Sequence, residues 1–175
     1  MRRAMMSLGV LLVALAACGT PTETPSQQPK SDSPSTAAPA LPPAPQPAIE
    51  GPCPYLDEGF VEETNGQHVS KVMTSSDAPH PTCFFYRADG DVQLVTRVFV
   101  GEAAVAKGLV DQAAPVATAN PAELDGGWAG GYQKVDGGAV FAVSKADTAV
   151  IVTTNQEQTI KARRAVEQTI STLGL

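Results

Sequence analysis

Histidine is almost missing from this sequence, with only His68 and His80 among 175 residues. Cysteine occurs three times and tryptophan once, and no apolar run reaches the ~20 residues that a membrane-spanning helix needs. These shortages bear on chemistry. His80 and the nearby Asp77 lack a third partner for a zinc site, so no metal is expected. His80 reads instead as an exposed residue of the rigid loop Asp77-Ala78-Pro79-His80-Pro81. The patterns Gly-x-Ser-x-Gly, Ser-x-x-Lys and His-Glu-x-x-His are absent, as is a phosphate-cradling glycine loop followed by Lys and Ser/Thr. Asp89-Gly90-Asp91 and Asp136-Gly137-Gly138 lack the ligand ladder of a calcium loop and read as hairpin turns. With no nucleophile set beside a base, neither an enzyme nor a bound cofactor is expected.

Positive charge is also short. From Glu50 onward there are 16 acidic and 9 basic residues, a net charge of −7. A surface of that sign repels phosphate backbones, which argues against nucleic acid as a partner.

The ends of the chain differ sharply in what they do contain. Arg2 and Arg3 precede a mostly apolar run from Ala4 to Ala17, short for a membrane span and suited to a signal peptide over residues 1–17. The run closes on Leu15-Ala16-Ala17-Cys18, which resembles a bacterial lipobox. Small residues at 16 and 17 suit a peptidase cleft, and the thiol of Cys18 accepts diacylglycerol. Two or three acyl chains, at about 0.8 kcal/mol per buried methylene, would make the anchor effectively permanent. The expected place is the outer face of the cell membrane. Of 15 prolines, 11 fall between Pro21 and Pro54, and Gly19 to Pro52 is otherwise Thr, Ser, Ala and Gln with almost no large apolar side chain. Such a segment cannot offset its ordering entropy by burial. Residues 18–52 are therefore expected to be a lipidated cysteine and a disordered, polyproline-biased tether reaching at most ~100 Å at ~3.1 Å per residue.

Lipid on Cys18 uses one of three cysteines and leaves Cys53 and Cys83, which have a single possible connectivity. An oxidising compartment makes their disulfide the expectation. The aromatics lie from Cys53 onward, so residues 53–175 are expected to fold as one domain.

Within that domain Tyr55–Asn65 suits a helix stopped at Asn65-Gly66, and His68–Thr74, Cys83–Arg87 and Val92–Val100 suit strands. Glu102–Ala113 has helical spacing and ends at Pro115. Trp128–Val135, Ala139–Val143 and Ala149–Thr154 read as three hairpin-linked strands. A capping-box spacing at Thr154-Asn155-Gln156-Glu157 predicts the start of a last helix. The expected fold is α+β, a mainly antiparallel sheet of about six strands packed against helices in the order α-βββ-α-βββ-α.

Four stretches, Cys53-Pro54-Tyr55-Leu56, Cys83-Phe84-Phe85-Tyr86-Arg87, Gly127-Trp128-Ala129-Gly130-Gly131 and Thr153-Thr154-Asn155-Gln156-Glu157-Gln158-Thr159, carry a resemblance. In them the chain resembles an actinobacterial lipoprotein family, a domain of unknown function (number 2020), from Cys53 to Leu175. The resemblance implies an envelope setting and brings no activity with it.

The most distinctive stretch for binding is the one around Trp128. In a strand Trp128, Gly130 and Tyr132 share a side, and the glycine leaves a notch in which a sugar ring or an apolar chain fits. The competing reading, preferred here, places Trp128 in the core with glycine admitting close packing. Tyr132 is the more exposed of the two. The expected function is a non-enzymatic, lipid-anchored binding or accessory module of the envelope. Its partners are the membrane through the lipid and a cell-wall component, a lipid or an envelope protein. The alternatives are an enzyme acting on wall polymers or exported substrates, and a carrier with an apolar cavity between sheet and helices.

Overall fold

A computed structural model describes residues 39–175. Cys18, the apolar run before it and the tether as far as residue 38 lie outside the described residues.

The first element is unforeseen. Strand β1, Ile49–Glu50, belongs to the stretch read as tether. Helix α1, Glu58–Asn65, starts later than its periodicity suggests because Asp57 is its N-cap, accepting from the amide of Phe60. It ends at Gly66, whose φ of 71° is the left-handed stop anticipated at that position. Strands β2 (Lys71–Thr74), β3 (Cys83–Tyr86) and β4 (Val92–Val100) follow, then helix α2, Ala103–Ala113. Strands β5 (Asn120–Leu124), β6 (Trp128–Val135), β7 (Gly138–Lys145) and β8 (Thr148–Thr154) precede the last helix, α3, Thr159–Leu173.

The class is α+β with one antiparallel sheet, but the expected strand count and order need correction. The described residues form eight strands, arranged β1-β2-β3-β4-β8-β7-β6-β5. Two were missed for physical reasons. β1 has two residues among prolines, and β5, Asn-Pro-Ala-Glu-Leu, has no alternating apolar face. The expected start of α3 at Thr154 is also corrected. Thr154 completes β8, its hydroxyl accepts from the amide of Gln156 in a local turn, and the helix begins five residues later. The hydroxyl is thus used in a local turn after the strand and does not cap the helix.

Two four-strand meanders meet at the centre, where β4 pairs with β8 from Leu94↔Thr154 to Val100↔Thr148. Alternation along β7 and β8 supplies both faces of the sheet. Phe141, Val143, Val150 and Val152 join Trp128, Leu94 and Phe85 in the larger core, beneath Ala162, Ala165 and Val166 of α3 and Val61 of α1. Val140, Ala142 and Ala149 make a smaller core with Ala106 and Val110 of α2 and with Ala114, its C-cap. Helices therefore cover both faces.

Cys53 and Cys83 are disulfide-bonded, with Cα atoms 5.6 Å apart. The bond joins the segment after β1 to the first residue of β3. Upstream of it, the described end of the tether is not free. Ala48 N–H donates to Thr74 O at 2.8 Å, Gly51 N–H to Val72 O at 3.1 Å, and Arg97 Nη2 to Pro43 O at 3.3 Å. Leu41 packs so closely on α2 that a Cβ at Gly108 would come 2.7 Å from its Cδ2. The expectation that residues 18–52 are all spacer thus fails from Leu41 onward. Leu41 is the one large apolar side chain between Gly19 and Ala48, and burial against a helix offsets its ordering.

Candidate functional site

The two histidines lie in different surroundings. His68 Nδ1 lies 2.6 Å from Glu62 Oε1 at the surface, with the imidazole 77% exposed. His80 borders a small cleft with Asp77, Arg97 and Phe99. There the Ser75 hydroxyl donates to Asp77 Oδ2 at 2.7 Å and accepts from Thr82 N–H at 2.9 Å, closing the loop on itself. Burial pulls the Arg97 guanidinium below its ordinary pKa, while Asp77 acts the other way. The Tyr55 hydroxyl, between Pro81 O (2.6 Å) and Thr96 O (3.2 Å), is driven upward by burial and stays protonated. These bonds hold the 75–82 loop to the sheet. Among the described residues no group of three or more His, Cys, Asp or Glu is placed to hold a metal ion.

The stretch singled out as a ligand surface divides between the two faces of the sheet. Trp128 is 2% exposed and part of the larger core. Tyr132 is half-buried against that same core and stacks on Phe141 at 5.8 Å. Lys145 Nζ lies over the Trp128 ring, 5.0 Å from its centroid, so a cation covers a face of the indole. Gly130 borders a cleft on the α2 side, but its own Cβ position is filled. A Cβ there would meet Ala142 O at 2.1 Å and Val110 Cγ1 at 2.9 Å, so glycine is needed for β6 to approach β7 and α2. The exposed platform of Trp128, Gly130 and Tyr132 considered from the sequence is therefore absent, because the indole is taken up by packing.

The opposite side of the same strand opens instead. Ala129, Gly130 and Gly131 border the opening together with residues of α2. That helix lies over β7 and β8 more than over β6, leaving a cleft of about 740 Å³ toward the β5 edge. One wall is the α2 face of Ala103, Lys107, Val110, Asp111 and Ala114, and the other is the 116–121 segment. Val116, on that second wall, is 80% exposed. The lining is dominated by alanine, glycine and valine. Its polar groups are the Lys107–Asp111 ion pair, Asn120 and Ser144. The volume falls within the range of small-ligand sites, ~300–1,000 Å³.

Of the three residues singled out on β6, Gly130 borders the cleft, whereas Trp128 lies in the larger core. The available signal was the run of small residues alternating with the aromatics, together with the alanines of α2, which are too small to close a gap between helix and sheet.

A family model described as a domain of unknown function (DUF2020) matches residues 34–175, beginning well inside the stretch read as tether. No curated protein matches the chain.

Proposed function

The chain belongs to the DUF2020 family, and from its geometry we propose a non-enzymatic binding module, anchored by lipid on Cys18 at the outer face of a membrane, that receives its ligand in the cleft between α2 and β6. The carrying observation is the cleft itself, a ligand-sized space with apolar walls and few polar groups. The lipobox-like Leu15-Ala16-Ala17-Cys18 supports the anchor. The Cys53–Cys83 bond agrees with an oxidising compartment. Among the described residues, His68 is engaged by Glu62 and His80 lines the small cleft beside Arg97, away from the α2 groove. The wall-polymer enzyme therefore ranks below the binding module.

Two outcomes test the halves of this reading separately. Cys18→Ala is expected to move nearly all of the protein from the detergent phase to the aqueous phase, read by phase partitioning and immunoblotting. A variant that still partitions with membrane would remove the lipid anchor from the account. For the cleft, Ala129→Trp places an indole in the opening from an exposed position on β6. It should melt within a few degrees of the parent and lose at least tenfold in capture of small molecules from a solvent extract of the envelope. Native mass spectrometry reads the capture. Equal capture by parent and variant would show that the cleft is not the site.

A further inference from the structure

We infer that the α2–β6 cleft takes the acyl tail of a single-chain membrane amphiphile, with the headgroup beside the Lys107–Asp111 pair. This deepens the binding-module reading and rests on it.

The chemistry of the walls narrows the occupant. A saccharide would be held by aromatic faces and many hydrogen bonds, yet no aromatic side chain lines the cleft and Trp128 is packed on the opposite side of the sheet. A peptide adding to the sheet would use the outer edge of β5, where Pro121 has no N–H to donate. The chain's own upstream segment, residues 19–38, has no large apolar side chain to place against alanine and valine walls. A second copy would have to bury ~800 Å² on each partner. Of the exposed large apolar residues Ile49, Val92, Val100, Val116, Val135 and Ile160, only Val116 borders the cleft. A slender, unbranched tail satisfies walls of small side chains, because it needs apolar contact along its length and no donors.

The headgroup follows from charge. Lys107 and Asp111, paired at 2.5 Å, give the rim one cation and one anion, so it is neutral within a domain of net charge −7. That balance suits a zwitterionic or uncharged head and disfavours an anionic one. Position agrees with the source. The described chain begins at residue 39 and reaches α2 at Leu41, which packs on Gly108, next to Lys107. The 21 residues from Cys18 to residue 39 span at most ~65 Å at ~3.1 Å per residue. α2 is thereby kept within reach of a membrane surface, where single-chain amphiphiles are concentrated.

The test uses the full chain with Cys18→Ala, so that no lipid of its own competes. Lysophosphatidylcholines with 8 to 14 tail carbons, below their micelle concentrations, are titrated by calorimetry alongside glycerophosphocholine, the same head without a tail. Affinity should rise about fourfold for each added methylene until the cleft is filled. Glycerophosphocholine should not bind. Ala129→Trp, and independently Ala103→Trp from the helix wall, should each weaken the longest tail by at least tenfold while melting near the parent. Affinity independent of tail length, binding by the head alone, or retention in both variants would overturn the assignment. If the lysolipids fail while Ala129→Trp still abolishes capture from the envelope extract, the ligand class falls and the binding module stands. If that capture is also unaffected, both fall.

Discussion

Trp128→Ala is expected to destabilise the domain by about 3–5 kcal/mol, the cost of removing a large aromatic from a packed core and leaving a cavity. The indole is buried between β6 and α3, in one cluster with Phe141, Ala165 and Val166, so the surroundings cannot collapse without moving a helix on the sheet. Domains of this size are stable by roughly 5–15 kcal/mol, so the variant should sit near the edge of folding at 37 °C. Tyr132→Ala should cost less, since its ring is half-buried and loses mainly the Phe141 stack. Urea denaturation followed by circular dichroism compares the two. A Trp128→Ala domain with the parent's midpoint would contradict the packing described here.

Loss of the Cys53–Cys83 bond is the second large effect. The bridge closes a loop with a sequence separation of 30 residues, and removing it is expected to cost about 3–4 kcal/mol in the chain-entropy account. A Cys53→Ala, Cys83→Ala double variant should therefore show a lower denaturation midpoint and a steeper dependence on denaturant, because the unfolded chain is no longer held compact. Intact mass under non-reducing conditions should find the parent lighter than its reduced form by two hydrogens. Complete alkylation of the unreduced parent would refute the bond. Both variants act on the larger core, since Cys83 belongs to the same buried cluster as Trp128. Their costs need not add.

The disulfide was legible because reading Cys18 as a lipidation site leaves a single pair. Strands with β-branched or aromatic alternation were legible too. Val92–Val100 was read with the bounds it has, and Trp128–Val135 likewise. What escaped was decided by distant partners. β5 is a strand because β6 lies beside it, with Ala122 opposite Gly130 and Leu124 opposite Trp128, and not because its own residues alternate. β1 exists because β2 offers a free edge to Ile49 and Glu50. The cleft depends on a lateral offset between α2 and β6, a quantity that no periodicity encodes. Gly130 shows the difficulty in one residue. Its lack of a side chain looked like an opening in the strand, whereas the missing Cβ is the space already taken by Ala142 O and Val110.

The joint between β1 and the disulfide also has a mechanical consequence. Tension entering from the N-terminal side first meets the Leu41 contact with α2 and the Arg97–Pro43 bond, then the Ala48–Thr74 bond and a two-residue edge strand, which release one after another. Unzipping stops at Cys53, where a covalent link to Cys83 carries the force into β3. About 14 residues, 39–52, would then lengthen the connection by up to ~45 Å at ~3.3 Å per residue, while β2 to β8 stay folded. The segment is in effect an extensible leader with a hard stop. Displacement of the chain upstream of Cys53 is thereby absorbed before it loads the core.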